Sequence, residues 1–182
     1  MTSTNDDNDL IGRFKKGDTA AFGALVHTYQ DRVYNLCRYM LQDPGYAQDA
    51  AQDVFLKAYR ALKDFRPNAS LYTWLYRIAV NTCRDYIRKS ARQAARNEPL
   101  EEDLPSDEHS PQQLYEAGQV AQIIQLALQR LPEKLRTTIV LKEMEGLSYE
   151  EIAEVLHTST GTVKSRISRA RERLRPILLK KL

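Results

Sequence analysis

Glycine, proline and cysteine are all scarce in this chain of 182 residues: seven, seven and two. Cys37 and Cys83 stand far apart, with no C-x-x-C pair and no Cys/His cluster, which excludes a disulfide scaffold and a zinc site and leaves two small buried residues in a reducing compartment. No run of about 20 apolar residues occurs, so stable membrane insertion is excluded. The N-terminal "MTSTNDDNDLIGRFKKGD" has no apolar signal core, and the expected localisation is cytoplasmic. An overall excess of positive charge is missing too, since the net charge is only +3; any basic binding face must be local. Asp49 and Asp53 form the one close acidic pair with a claim to chemistry, and no third ligand or histidine lies nearby. No catalytic residue, metal or cofactor is therefore expected.

What remains is 42% hydrophobic and 28% charged, the balance of a folded, soluble protein. Long stretches repeat at helical spacing and none alternates cleanly, so the fold class is all-α. The clearest break is "NEPLEEDLPSDEHSPQQ", residues 97–113, with three prolines, six acids and no lysine or arginine. It reads as a flexible acidic linker, 94–115, between two small helical domains, 10–93 and 116–182. Helices are expected at Thr19–Leu41, Pro44–Leu62, Ser70–Arg92, Ala117–Arg130, Glu133–Glu145, Tyr149–Leu156 and Thr160–Leu179.

The segment "TSTGTVKSRISRARERLR" carries six cations on a helix whose apolar stripe is Val163, Ile167, Ala170 and Leu174. Lys164, Arg171 and Arg175 flank that stripe on one side, and Arg166, Arg169 and Arg173 on the other. Gly161, Ser165, Ser168 and Glu172 form a polar ridge between the two rows. A helix in a DNA major groove meets base edges along such a ridge and a phosphate strand at each shoulder. Just upstream, "LSYEEIAEVLHTSTGTVKSRI" has a helix-turn-helix layout. Ser148 and Glu151 suit a capping box, Ser159 or Thr160 caps the second helix, and Val163 is its apolar plug. His157 holds the turn position often given to glycine, as a mildly strained turn residue.

In "YAQDAAQDVFLKAYRAL" one face is apolar, while Asp49, Gln52 and Asp53 gather on the other. These acids suit either the helix dipole or a basic partner. In "FRPNASLYTWLYRIAVNTCRDYIRKSAR" the expected core stripe is Leu71, Trp74, Leu75, Ile78, Thr82 and Tyr86. On another side Arg77, Arg84 and Arg88 line up around Asn81, downstream of a loop from Arg66 to Ser70 that is bracketed by Phe65 and Tyr72. Cations, amides and aromatics beside a loop suit a single-stranded nucleic acid; the plainer reading packs Tyr76, Val80 and Ile87 against a neighbouring helix.

"DAAQDVFLKAYRALKDFR", "LYTWLYRIAVNTCRDYIRK", "LRTTIVLKEMEGLSYEEIAEVL" and "GTVKSRISRARERLR", in this order, resemble the extracytoplasmic-function (group IV) sigma factors of the sigma-70 family. The resemblance implies a region 2 that binds the β′ coiled coil of core RNA polymerase and melts the minus-10 element. It also implies a region 4 that binds the minus-35 element and the β flap. Carried over residue by residue, polymerase binding falls on Asp49, Gln52, Asp53 and Phe55. Minus-10 contact falls on Asn68, Ala69, Ser70, Tyr72, Asn81, Arg84 and Arg88, and minus-35 contact on Lys164, Ser165, Arg166, Ser168, Arg169 and Arg173. It implies as partners core polymerase, promoter DNA both double-stranded and melted, and an anti-sigma factor. The alternative is a helix-turn-helix regulator that does not bind core polymerase.

Overall fold

The structure, a computed structural model, describes residues 4–41, 43–66, 70–94 and 116–180. Asn68, Ala69 and the acidic stretch 97–113 lie outside the described residues. Among the described residues there are eight α-helices, one 3-10 turn and no strand: α1 (Thr4–Lys15), α2 (Thr19–Met40), α3 (Pro44–Ala61), the 3-10 turn Leu62–Asp64, α4 (Leu71–Ala94), α5 (Glu116–Gln129), α6 (Glu133–Glu143), α7 (Tyr149–Leu156) and α8 (Thr160–Leu179). The all-α reading holds, and the expected helices appear with ends displaced by a residue or two. The end of α6 moves because Glu145 and Leu147 turn their amides back to the carbonyls of Val140 and Leu141, with Gly146 at φ 72° completing the turn.

Helix α1 is absent from the sequence reading. Its apolar residues are too few to make a stripe, and tertiary contacts decide it. Ile11 and Phe14 are buried, and Phe14 joins Phe22 and Tyr59 in an aromatic cluster with centroids 5.0–5.6 Å apart. Asp7, itself buried, accepts a 2.6 Å hydrogen bond from the Tyr29 hydroxyl. Arg13 donates from Nε and Nη2 to Asp18, whose other oxygen caps α2 by accepting from the Ala20 amide.

Helices α1 to α4 form one bundle and α5 to α8 a second, and the two share a continuous apolar core because α2 packs on α5 and α6 while α4 packs on α7. Burial along α4 departs from the expected stripe, because α4 meets α2 and α3 of its own bundle and α7 of the second. Trp74, Ile78 and Tyr86 of the expected stripe are half-buried, whereas Tyr76, Ala79, Val80 and Cys83 are wholly enclosed, as the plainer reading of Tyr76 and Val80 has it. Cys37 and Cys83 are free, buried thiols whose sulfurs lie 3.5 Å apart. The hydrogen bond between them, together with burial, pushes the Cys83 thiol up in pKa and keeps it unreactive. In the second bundle α6 is central and enclosed from Arg136 to Leu141. Its buried Thr137 and Thr138 satisfy their hydroxyls on the carbonyls of Glu133 and Lys134.

Candidate nucleic-acid interface

The α7–α8 corner is built by local chemistry. The Ser148 hydroxyl accepts from the Glu151 amide at 3.1 Å, and the Glu151 carboxylate accepts from the Ser148 amide at 2.7 Å, which closes the expected capping box. His157 ends α7 in the left-handed conformation, φ 49° and ψ 56°, as expected of the strained turn residue. Ser159, rather than Thr160, caps α8 by accepting from the Thr162 amide. Val163 plugs the corner with Ile167 and Ala170, all buried, and the cationic face of α8 is thereby turned to solvent.

On that face Lys164, Ser165, Ser168, Arg169 and Arg173 are exposed and Arg166 is half-buried. Among the described residues no carboxylate lies within ion-pair distance of Lys164, Arg166, Arg169 or Arg173. Arg171 differs, since it donates to Glu143 of α6 at 2.6 Å, which holds its pKa up and pins one shoulder of the ridge. Sequence reasoning missed Tyr149. Its ring lies 5.0 Å from the Lys142 ammonium and 5.7 Å from that of Lys164, at the side of a shallow cavity of about 340 Å³ that also meets Ser168 and Arg175. The available signal was an aromatic at the first position of the corner's first helix.

The first bundle carries two further surfaces. Gln52 and Phe55 line a groove of about 630 Å³ between α2 and α3, with Phe22, Tyr34, Leu56 and Tyr59. Leu56 is 54% exposed, the most exposed large apolar side chain among the described residues of this bundle. Asp53 points elsewhere: half-buried, it accepts a 2.9 Å hydrogen bond from Tyr86 of α4. Burial, and then Asp53, push the Tyr86 hydroxyl up to about 12. Asp49 is exposed and close enough to act on Tyr86 through its charge. The four expected residues thus divide into two in the groove and two beside α4.

On α4, Ser70 caps the helix through the Thr73 amide, while Asn81 and Arg88 are exposed and Arg84 is half-buried. Spacings of three and four residues put Asn81, Arg84 and Arg88 on one face. Arg88 pairs with Asp85, and Arg84 Nε donates to Glu133 of the second bundle at 2.9 Å. Tyr72 lies under the Arg32 guanidinium, 5.4 Å from the ring centroid, and its hydroxyl donates to the Glu145 carbonyl at 2.8 Å.

Sequence profiles match at both ends: that of sigma-70 region 2 over residues 25–93, and that of sigma-70 region 4 over residues 121–174. The chain belongs to the sigma-70 family. It is 42% identical to the ECF RNA polymerase sigma-E factor of Escherichia coli, covering 94% of each chain, and 40% identical to the RNA polymerase sigma-H factor of Pseudomonas aeruginosa, covering 94% of this chain and 93% of that one. The solved structure of the sigma factor RpoE in complex with the anti-sigma factor NepR from Bartonella quintana superposes with a TM-score of 0.71 at 25% identity, covering 86% of this chain and 96% of that one. The chain is accordingly an extracytoplasmic-function sigma factor, an initiation subunit of transcription and not an enzyme. Among the described residues no helix is long and apolar enough to cross a membrane.

Proposed function

We propose that this sigma factor recognises its promoter through two separate faces, region 4 over residues 116–182 and region 2 over residues 10–93, joined by a linker over 94–115. The cations Lys164, Arg166, Arg169 and Arg173 on the outward face of α8, which have no carboxylate within ion-pair distance among the described residues, carry this reading. Ser165 and Ser168 on the ridge supply short hydrogen-bonding groups to base edges of the minus-35 element, and Arg173 supplies phosphate contact. On α4, Tyr72, Asn81, Arg84 and Arg88, with the loop Asn68, Ala69 and Ser70, engage the melted minus-10 strand, because bases freed from the duplex stack on rings while the backbone follows the cations.

The apolar groove with Gln52 and Phe55 takes the β′ coiled coil of core polymerase, with Asp49 and Asp53 steering it by charge. The second bundle binds the β flap, and an anti-sigma factor is the inhibitory partner. All of these meetings take place in the cytoplasm. Purified core polymerase, mixed with this chain and a randomised promoter library, should yield transcripts from templates sharing two elements at fixed spacing. Binding to duplex DNA with no transcription from any template would favour the plain regulator and sink this reading.

A further inference from the structure

One enclosed charge in this molecule lacks a counter-charge. Arg136, in the first turn of α6, is only 7% exposed. Among the described residues its side chain has no hydrogen-bond or ion-pair partner, and its Nε is buried with nothing to receive it. Glu133, at the start of the same turn, gives its carboxylate to Arg84 and acts on Arg136 only through its charge. Burial lowers the Arg136 pKa, and the Glu133 charge offsets this only in part. A cation taken out of water is ordinarily held by a paired anion, because the cost of leaving water falls on it uncompensated otherwise.

Arg136 lines a cavity of about 320 Å³ where α6 meets the first bundle. Met40, Leu41 and Ile87 supply apolar walls, and Tyr46 and Tyr86 an aromatic one, their ring centroids 6.0 Å apart at 61°. The Tyr86 hydroxyl is engaged on Asp53, which leaves the body of its ring for packing. Asp43, the one carboxylate of these walls, is engaged too, since its Oδ1 caps α3 by accepting from the Tyr46 amide. A cavity of this size between packed units, apolar and aromatic with one or two fixed polar groups, has the usual form of a small-molecule site.

We propose that this cleft binds a small aromatic monocarboxylate, with its carboxylate on the Arg136 guanidinium and its ring against Tyr46 and Tyr86. A monoanion matches the single cation, and a planar carboxylate suits the fork of a guanidinium. A phosphate would bring a second charge beside Asp43, with no further cation on the walls to receive it. The apolar and aromatic walls select the body of the ligand by desolvation and ring packing. None of these residues belongs to the promoter or polymerase faces assigned above, so the inference stands apart from that reading.

The test titrates 4-fluorophenylacetate into the full chain and follows its fluorine resonance by NMR. The parent should shift and broaden the resonance with a Kd of about 1 mM, as suits a ligand of this size. The neutral amide of the same shape, 4-fluorophenylacetamide, should bind about tenfold more weakly, and so should the carboxylate to Arg136→Met, because each change deletes one half of a charge-assisted pair. Arg60→Met removes an equal charge from an exposed position of α3 and should bind like the parent. Discharging an enclosed cation should not lower the melting temperature of Arg136→Met. Ala91→Leu, exposed on α4 at the cavity wall, keeps Arg136 and narrows the cleft, so it gives a second loss of binding that does not depend on how Arg136→Met folds. No response of the parent up to about 10 mM would mean that the cavity holds only solvent, and would overturn the inference. Undiminished binding of the amide to the parent, or of the carboxylate to Arg136→Met or Ala91→Leu, would place the probe elsewhere on the chain and overturn it equally.

Discussion

Arg169 and Arg173 sit on the same side of α8, one turn apart, yet their positions along the helix separate their tasks. Both belong to one shoulder of the ridge; in the minus-35 reading proposed above, Arg169, next in sequence to Ser168, reaches a base edge, and Arg173, a turn further on, follows the phosphate backbone. Arg169→Ala is expected to cost about 1–3 kcal/mol at one promoter position and little at the others. Arg173→Ala should weaken all sequences alike and flatten the dependence on salt. A base-substitution series read by electrophoretic mobility distinguishes the two, and swapped outcomes would mean the helix presents a different edge. At the α7–α8 turn, His157 adopts φ 49°, where a side chain meets its own backbone. His157→Gly should relieve that strain and raise stability by up to about 1 kcal/mol, less what glycine loses in chain entropy, as read from urea denaturation. The exposed ring faces solvent, so DNA affinity should hold.

At the scale of elements, α3 shows how far a helical wheel reaches. Its apolar stripe of Ala47, Ala50, Ala51, Val54 and Ala58 is buried as the periodicity requires. The groove beside it is a joint product of α2 and α3, and Phe22, Tyr34 and Tyr59 come together there only after folding. The wheel likewise put Asp53 with Gln52, whereas Tyr86 draws Asp53 toward α4. Leu56, absent from the sequence-derived site, is the outward apolar residue of this groove. Leu56→Asp should weaken binding to core polymerase by more than about 1 kcal/mol, because it places a charge where a partner's apolar side chain is to be desolvated. The melting temperature should stay within a degree or two, since an exposed position contributes little to the fold. Equal affinity of parent and variant in a core-binding titration would remove the groove from the polymerase interface. Helix α1 is the reverse case, an element with weak periodicity that Tyr29, Phe22 and Phe65 hold in place from outside.

Across the whole molecule, the coupling of the two bundles has a pH dependence with a definite sign. Burial raises the Glu145 carboxyl above its ordinary value, against the Tyr76 hydrogen bond and the Arg32 charge, which lower it. Its neighbours are Tyr72 and Tyr76 from α4 and Arg32 from α2, with Glu151 of α7 acting on Tyr72. Separation returns the carboxyl to water and its pKa toward the ordinary value, so closing favours the protonated form. That contribution to closure is complete below the open-state pKa and is lost as pH rises through the higher closed-state one. With spin labels on Arg60→Cys and Glu172→Cys, both exposed positions, the short-distance population should therefore grow as pH falls from neutral toward the ordinary carboxylate range, and Glu145→Ala should abolish the trend. A trend that survives the substitution would assign it to another group.

The amino-acid sequence by itself determined what depends on near neighbours in the chain. Spacings of three and four residues placed the helices, Ser148 with Glu151 and Ser159 fixed the caps, and the two rows of cations on α8 follow from helical rotation alone. The motif order carried the family. Tertiary structure decided what depends on distant segments: that α1 is a helix, that Tyr76 and Val80 are wholly enclosed, and that Tyr149 shares its ring with two lysines. It also decided that Arg84 faces Glu133, a pair separated by 49 positions. Helical periodicity tells which residues share a face, but the occupant of that face comes from elsewhere in the chain, and no local spacing encodes it.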